Sequence, residues 1–165
     1  MAKPDKTGDF SPYPAPDFSA ASSAGGTVAR DDLKGRWTVL FLYPRDDTPG
    51  CTQESCEFSA ALADFRALGA QLYGLSKDGL KAHEKFIAKY GLAMPLLSDP
   101  DNAAIAAFGS WIEKSLYGRK YMGTDRSTFI IDPEGRVRHV WRGVKVKGHV
   151  AEVLATLRTL VSVRA

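Results

Sequence analysis

Cysteine is scarce in this chain of 165 residues, which contains two, at positions 51 and 56. Two cysteines that lie so close together do not form the disulfide framework of a small secreted domain. In a reducing compartment such a pair is typical of a catalytic or a metal-binding site. A zinc site needs about four ligands, and neither a second cysteine pair nor ligand spacing among His83, His139 and His149 supplies them. The sequence therefore favours redox chemistry at the cysteines.

Long apolar runs are also lacking. No segment approaches the roughly 18 consecutive apolar residues that span a bilayer, and residues 1–9 hold no apolar run of signal-peptide length. We therefore expect a cytoplasmic protein that does not bind membranes. A glycine-rich phosphate loop is absent from the sequence as well, so we expect no nucleotide or flavin. The shortage of ligands described above leads us to expect no metal cofactor either.

Positive charge is not concentrated in one place. The chain has 22 basic and 19 acidic residues, for a net charge of +3. The basic residues form only one loose group, which comprises Arg136, Arg138, Arg142, Lys145 and Lys147. Because acidic residues interleave with basic ones nearly everywhere, the pattern indicates a solvated surface and no nucleic-acid partner.

The length and the 44% apolar content are those of one domain, which we place at residues 1–165. Residues 1–16 are rich in proline and charge and predict an extended arm on the surface. Phe18–Ala20 and Thr27–Ala29 flank a Ser-Ser-Ala-Gly-Gly turn and predict a β-hairpin.

The centre of the chain is a strand followed by a helix. Trp37–Tyr43 is a continuous apolar run that predicts a strand buried on both faces. Turn-forming residues follow, and Pro49 suits the first turn of a helix. We predict that a helix starts there and continues through Cys51–Leu68, because four large apolar residues recur at three- and four-residue steps. In this helix Phe58, Leu62, Phe65 and Leu68 form the buried stripe, and Glu54, Glu57, Asp64 and Arg66 are expected to be exposed.

The rest of the chain alternates between predicted strands and helices. The predicted strands are 71–76, 94–98, 127–131 and 137–141, and the predicted helices are 80–90, 99–108 and 150–163, with a short helical turn at 31–35. This order builds a mixed central β-sheet flanked by helices with right-handed parallel crossovers. It is the α/β arrangement of the thioredoxin-like fold, with an N-terminal β-hairpin extension.

Cys51 falls in the first turn of its predicted helix. Unpaired N–H groups and the positive end of the helix dipole stabilise a thiolate there, and the thiolate is the nucleophilic form of cysteine. The alternative is that Cys51 and Cys56 are small buried hydrophobic residues.

The segment around Cys51 resembles a known active site. Pro44-x-x-x-Thr48-x-x-Cys51 matches the motif of the peroxiredoxins, and Asp47–Thr52 with Cys56 is similar to the bacterioferritin comigratory protein, or peroxiredoxin Q, subfamily. The resemblance covers roughly residues 10–160 and continues through Leu97–Asp99, Phe108–Gly109, Trp111–Gly118 and Arg126–Asp132.

The resemblance implies reduction of hydroperoxides, including hydrogen peroxide, and the thioredoxin-like fold. Carried over residue by residue, it makes Cys51 the nucleophile that becomes a sulfenic acid. Thr48 and the Cys51 N–H would bind the peroxide, and Pro44 would shield the thiolate from water. The resemblance assigns to Arg126 the stabilisation of the thiolate and of the peroxide oxygens, and to Glu54 the orientation of that arginine. The neighbouring Arg45 is as easily a solvent-exposed side chain as a substrate contact.

The resemblance also implies that Cys56 is the resolving cysteine, which forms a disulfide with Cys51. Residues five apart in a regular helix have Cα atoms roughly 8.7 Å apart, whereas a disulfide tolerates at most about 7 Å. The helix between them must therefore unwind when the bond forms.

The resemblance suggests thioredoxin as the reductant. Glutaredoxin, glutathione and a flavoprotein of the alkyl hydroperoxide reductase type stay open, because each works by thiol–disulfide exchange. We expect a monomer, since both cysteines lie in one helix. Four aromatic residues either line an apolar mouth that favours organic peroxides or belong to the core; they are Phe41, Tyr43, Trp111 and Tyr117.

Three other functions are compatible with the cysteine pair. The first is a thiol–disulfide oxidoreductase, although that chemistry usually uses Cys-x-x-Cys. The second is a redox sensor that transmits the unwinding of the helix to a partner. The third is a structural thioredoxin-like binding module, in which Cys51→Ser changes no reaction with peroxide.

Overall fold

The computed structural model describes residues 10–164, which form a mixed sheet flanked by helices. The strands are β1 Tyr13–Pro14, β2 Ser19–Ser22, β3 Thr27–Ala29, β4 Trp37–Leu42, β5 Ala70–Ser76, β6 Leu96–Ser98, β7 Trp111–Leu116, β8 Arg119–Thr124, β9 Ser127–Ile131 and β10 Arg136–Trp141. The helices are α1 Pro49–Ala60, α2 Leu62–Ala67, α3 Leu80–Tyr90, α4 Ala103–Ala107 and α5 His149–Arg164, with a 3₁₀ turn at Arg30–Leu33.

Strand β4 lies in the middle of the main sheet, whose order is β1-β10-β9-β4-β5-β6-β2-β3. It runs parallel to β5 and antiparallel to β9, so that Val39 pairs with Leu72 on one side and Ile130 on the other. All six residues of β4 are buried. The prediction of a strand covered on both faces is confirmed, and its carboxyl end delivers the chain to the segment that holds Cys51.

The two faces of the sheet carry separate apolar layers, because successive β4 side chains point to opposite faces. Val39 and Phe41 pack with residues from α1, α2, α3 and α5, among them Phe58, Phe65, Phe86 and Leu157. Leu40 and Leu42 pack on the other face with Phe129 and with Ile105 of α4. The cysteine-bearing helix therefore rests on the face that α5 also covers.

The predicted helix over Cys51–Leu68 is wrong in one respect, because the structure has two helices there. The chain leaves helical geometry at Ala61, whose φ and ψ are −93° and 0°. Helix α1 begins at Pro49, as predicted, with Thr48 as its N-cap residue. Helix α1 therefore ends shortly after Cys56.

The segment after α4 forms a hairpin that the sequence analysis did not assign. Strands β7 and β8 make a separate two-stranded antiparallel sheet, and Leu116 pairs with Arg119. The two residues between them, Tyr117 and Gly118, have positive φ values of 52° and 77°, as a tight two-residue hairpin turn requires. Strand β8 ends at Thr124, so the hairpin leads the chain directly to Arg126.

The predicted N-terminal arm lies partly outside the described residues, which begin at residue 10. Within them, Tyr13 and Pro14 pair with Val137 and Arg136 as an edge strand. The predicted hairpin of β2 and β3 is confirmed by pairing of Ala20 with Val28. Across residues 10–164, none of the helices combines the length and apolar character needed to cross a bilayer.

Candidate active site

Cys51 is the third residue of α1 and is 1% exposed. The first backbone bond of this helix runs from the N–H of Thr52 to the carbonyl of Thr48 at 2.8 Å. The N–H of Cys51 therefore precedes the helical ladder, where backbone donors have no intrahelical acceptor. The predicted position of the thiol in the first turn is confirmed.

Arg126 brings its guanidinium to the sulfur. Its Nη2 donates to Cys51 Sγ at 3.3 Å, and its Nη1 donates to Glu54 Oε1 at 2.7 Å. The three side chains predicted to act together thus meet, although Arg126 is 75 residues away from Cys51 in the sequence. A guanidinium aimed at a sulfur favours the thiolate, because a charge-assisted hydrogen bond is stronger than a neutral one.

Gly50 provides the space that Arg126 occupies. A Cβ atom at Gly50 would lie 3.2 Å from Arg126 Nη2, closer than a side chain ordinarily approaches. In the sequence, Gly50 is recognisable only as one of the turn-forming residues before α1. Its further role is to leave room for the guanidinium beside the thiol.

The backbone around Arg126 is held by its neighbours in space. The N–H of Val144 donates to the Arg126 carbonyl at 3.0 Å, and the N–H of Gly143 donates to Asp125 Oδ1 at 3.1 Å. The N–H of Asp125 donates to the Ser110 carbonyl at 2.7 Å, at the base of the hairpin. The β10–α5 loop and the hairpin base therefore fix the arginine at the entrance to β9.

Glu54 corrects one prediction and supports another. It was grouped with the exposed face of the helix, but its side chain is fully buried, against 16% exposure for Arg126. It does contact Arg126, as the resemblance implied. Periodicity placed Glu54 on the polar face of α1, but the guanidinium that covers it comes from the residue before β9, which the helical pattern cannot show.

Burial raises the pKa of Glu54 to about 7, against the opposing charge and hydrogen bond of Arg126. Burial also lowers the pKa of Arg126, but the charges of Glu54 and Cys51 outweigh it and the net direction is upward. Glu54 Oε2 and Ser55 Oγ are buried and find no hydrogen-bond partner among residues 10–164. The ion pair is therefore formed at a cost in desolvation.

Thr48 presents a hydroxyl at the mouth of the site. Its Oγ1 donates to the carbonyl of Arg45 at 2.9 Å, so the hydroxyl proton is occupied and the oxygen lone pairs are left to accept. Pro44 is half-buried between Tyr43 and Arg45, and the side chain of Arg45 is exposed. The structure brings Pro44, Thr48 and Cys51 into one short segment between β4 and α1.

Cys56 lies in the same continuous helix as Cys51, and both thiols are free. Cys56 is half-buried and packs against the core layer beneath α1. Burial, and then the charge of Glu57, raise the pKa of its thiol. With these cysteines reduced, the segment between them is helical, as predicted for the reduced state.

The four aromatic residues considered for an apolar mouth do not line one together. Phe41 and Tyr43 are completely buried in the core, whereas Tyr117 is 96% exposed at the tip of the hairpin. Trp111 is half-buried at the start of β7. The mouth hypothesis for this set is wrong, because Phe41 and Tyr43 belong to the core.

Lys114 is a residue near the site that the sequence analysis missed. Burial lowers the pKa of its ammonium, and Asp125, Arg126 and Cys51 also interact with it electrostatically. It lies on β7 opposite Tyr121. The Tyr-Gly turn of the hairpin was the signal that could have located it.

No group of three or more histidine, cysteine, aspartate or glutamate side chains within residues 10–164 is arranged to hold a metal ion. The site instead consists of a buried thiol at a helix N-terminus, a guanidinium that contacts it and a second thiol in the same helix. On a mixed sheet of this topology, these features define a thiol-based redox protein.

Comparison with known proteins places the chain within that class. The AhpC/TSA family profile matches residues 13–140, and the chain belongs to this family, as one of its peroxiredoxins. It is 48% identical over 142 residues to Peroxiredoxin Bcp of Xanthomonas campestris, covering 86% of this chain and 89% of that protein. It is 46% identical over 143 residues to a putative peroxiredoxin bcp of Coxiella burnetii, covering 87% and 95%.

Solved structures show the same relationship. Peroxiredoxin Q of Xanthomonas campestris superposes with a TM-score of 0.84 at 43% identity, covering 87% of this chain and 91% of that one. Another structure, at 42% identity, concerns the alkyl peroxide reduction activity of the bacterioferritin comigratory protein of the same organism. The thioredoxin-like fold is confirmed, and the chain is a thiol-dependent peroxidase. This activity excludes the alternative that the chain is a purely structural binding module.

Proposed function

We propose that this peroxiredoxin reduces hydrogen peroxide and organic hydroperoxides at Cys51, resolves the product with Cys56 and is recycled by thioredoxin. The observation that carries the proposal is the 3.3 Å contact of Arg126 Nη2 with Cys51 Sγ. A cation and the start of a helix both favour a thiolate at this sulfur.

In the first step the Cys51 thiolate attacks the terminal oxygen of the hydroperoxide. The S–O bond forms as the O–O bond breaks, so the sulfur is oxidised to a sulfenic acid and the leaving alkoxide takes a proton to become alcohol or water. The Thr48 lone pairs accept the peroxide O–H, while the Cys51 N–H and Arg126 donate to the oxygens that gain charge. Pro44 keeps water away from the sulfur.

In the second step Cys56, deprotonated, attacks the sulfur of the sulfenic acid. The S–S bond forms and the S–O bond breaks, and hydroxide leaves as water after protonation. Regular α1 geometry keeps the two Cα atoms roughly 8.7 Å apart, beyond the limit of about 7 Å for a disulfide. Helix α1 must therefore unwind between the cysteines before this step.

In the third step a dithiol donor reduces the disulfide and is itself oxidised to a disulfide. We assign this role to thioredoxin on the family resemblance. The arrangement of both cysteines on one helix supports a monomer, since the chemistry needs no second subunit. The need for a reducing thiol pool supports a cytoplasmic location.

The test is peroxide consumption by the purified protein with thioredoxin, thioredoxin reductase and NADPH. Cys51→Ser should abolish turnover, and Cys56→Ser should stop thioredoxin-dependent turnover while still forming a sulfenic acid that a dimedone probe traps. Ala60→Ser, an exposed position on the same helix, is the matched control. Turnover by Cys51→Ser, or full thioredoxin-dependent turnover by Cys56→Ser, would contradict these roles.

A further inference from the structure

A buried polar chain lies behind the segment that carries Thr48. The hydroxyl of Tyr43 donates to Asp46 Oδ1 at 2.6 Å, and Asp46 Oδ2 lies 2.7 Å from His83 Nδ1. The other ring nitrogen, Nε2, lies 2.9 Å from the carbonyl of Leu97. His83 and Tyr43 are completely buried and the Asp46 side chain is 5% exposed, so the chain crosses from α3 to the end of β4 with little contact with solvent.

The partners decide where the protons lie. The Leu97 carbonyl can only accept, so His83 Nε2 carries a hydrogen. Burial and the charge of Asp46 raise the pKa of Tyr43 well above its ordinary value, so its hydroxyl stays protonated and donates. His83 therefore donates through Nε2 to the Leu97 carbonyl, and its Nδ1 shares a hydrogen bond with Asp46 Oδ2.

Asp46 connects this chain to Thr48 through one peptide group. The carbonyl of Arg45 and the N–H of Asp46 belong to the same planar unit. The carbonyl accepts the Thr48 hydroxyl at 2.9 Å, and the N–H donates to Asp78 Oδ2 at 2.9 Å. The orientation of this unit therefore decides where the Thr48 proton points and which way its lone pairs face.

Helix α3 holds the neighbouring residue as well. Asp47 has a φ of 57°, a conformation that costs energy for a residue with a side chain. Its carboxylate accepts from Lys89 Nζ at 2.9 Å and from Tyr90 Oη at 2.7 Å. The turn that directs the chain into α1 is thus fixed from the α3 side at both of its aspartates.

We propose that His83 is a positioning residue for peroxide reduction, acting through Asp46 and the Arg45–Asp46 peptide on the hydroxyl of Thr48. It does not touch the peroxide. It holds the Asp46 side chain so that the peptide presents its carbonyl to Thr48, which leaves the Thr48 lone pairs facing the substrate. This inference rests on the proposed role of Thr48.

Two substitutions at one position separate positioning from bulk stability. An asparagine places its NH₂ group where His83 has Nδ1, and a glutamine places its NH₂ group where His83 has Nε2. Both variants replace the imidazole ring with an uncharged amide. His83→Asn keeps a donor for Asp46 and loses the contact with Leu97, whereas His83→Gln keeps the contact with Leu97 and loses the one with Asp46.

The first readout is the second-order rate constant for oxidation of Cys51 by hydrogen peroxide. We expect His83→Gln to lower it by about tenfold or more, because a small misplacement of a binding group costs up to about a hundredfold. His83→Asn should stay within about threefold of the wild type. Alkylation of Cys51 by iodoacetamide depends on the thiolate and not on Thr48, so its rate should be the same in both variants.

The second readout is a mutant cycle with Thr48→Val, which removes the hydroxyl. If His83 acts through Thr48, His83→Gln should cause little further loss in the Thr48→Val background. If Thr48→Val itself leaves the peroxide rate unchanged, the proposed role of Thr48 is wrong. If Thr48→Val is slow and His83→Gln is not, only the positioning role of His83 is wrong.

Tyr43→Phe keeps the test decisive if His83→Gln does not fold. It removes one hydroxyl and keeps the ring, so Asp46 loses its hydrogen bond from Tyr43 while the core stays filled. The peroxide rate should fall in the same direction as for His83→Gln, with alkylation unchanged. Equal peroxide rates for His83→Asn and His83→Gln, or a parallel fall in alkylation, would overturn the inference.

Discussion

Arg126 and Glu54 form a 2.7 Å ion pair in which the carboxylate is completely buried and the guanidinium nearly so. The other nitrogen of the same guanidinium donates to Cys51 Sγ at 3.3 Å. One side chain thus serves two acceptors at fixed angles, which a planar guanidinium can do and an ammonium cannot.

Arg126→Lys should therefore lower the rate of Cys51 oxidation even though it keeps the positive charge. Loss of one oriented donor to a developing charge typically costs about 10²–10³ in rate, and we expect a loss in this range. Stopped-flow oxidation by hydrogen peroxide measures it. The same change at Arg119, which is exposed on the hairpin, is the control and should have no effect; equal rates for the two variants would contradict the assignment.

The activity should rise with pH as Glu54 ionises. Only the ionised carboxylate forms the ion pair that orients Arg126, and burial raises the pKa of Glu54 to about 7. The peroxide rate should therefore increase through about pH 7 in the wild type. In Glu54→Gln that increase should be absent and the plateau lower. An unchanged pH profile in Glu54→Gln would show that another group controls the rise.

Glu54 should also make folding stability depend on pH. Its pKa is higher in the folded protein, about 7, than the ordinary 4.5, so the folded state favours the protonated form. Stability is unaffected at low pH and falls as pH rises from about 4.5 to about 7, by about 3 kcal/mol. In urea unfolding, the free energy of unfolding of Glu54→Gln should increase relative to that of the wild type across this pH interval. A constant difference between the two proteins would contradict this.

His149 should act in the opposite direction. Burial lowers its pKa from 6.5 to about 4, and its Nε2 lies 2.7 Å from Thr128 Oγ1. Between these pH values His149 is protonated in the unfolded chain but not in the folded protein. The free energy of unfolding therefore falls as pH drops from about 6.5 towards about 4, again by about 3 kcal/mol. His149→Gln should lose this dependence. Urea unfolding of both proteins at pH 7 and at pH 4.5 tests this prediction. An equal difference in stability between the wild type and His149→Gln at both pH values would contradict it.

Oxidation should unwind α1. Regular helical geometry cannot bring Cys51 and Cys56 within disulfide distance, so amide hydrogen exchange across residues 51–60 should accelerate in the oxidised protein. Exchange in α5 serves as the internal reference. Identical exchange in the two redox states would show that the bond forms without unwinding, or does not form.

The sequence predicted those features whose cause is local. Helix α3 ends at Tyr90 because Gly91 takes a left-handed conformation with a φ of 64°, and glycine after an amphipathic run indicates such an end. The burial of β4 was visible in its unbroken apolar run. The start of α1 followed from Thr48 and Pro49, and with it the place of Cys51.

The features that were missed depend on contacts between distant segments. Glu54 lies at a position that periodicity assigns to solvent, and only the approach of Arg126 makes its burial possible. The break at Ala61 has no glycine or proline to mark it. His83 showed no ligand spacing in the sequence, because its partners are Asp46 and the carbonyl of Leu97, which the fold brings to it.

The way α1 is anchored bears on the lifetime of the sulfenic acid. Between the cysteines the helix buries Glu54 and Ser55, each with an oxygen that lacks a partner within residues 10–164, whereas Phe58 beyond them stacks on Phe41 at 4.3 Å. The stretch that must open is held by the ion pair of Glu54 Oε1 with Arg126 but also buries two oxygens that gain hydrogen bonds to water on opening. While it is closed, a second peroxide competes with Cys56 for the oxidised sulfur and converts it to the irreversible sulfinic acid. The hydrogen bonds that these two oxygens gain on opening favour the open state and shorten that interval, which we expect to protect the enzyme when peroxide is abundant.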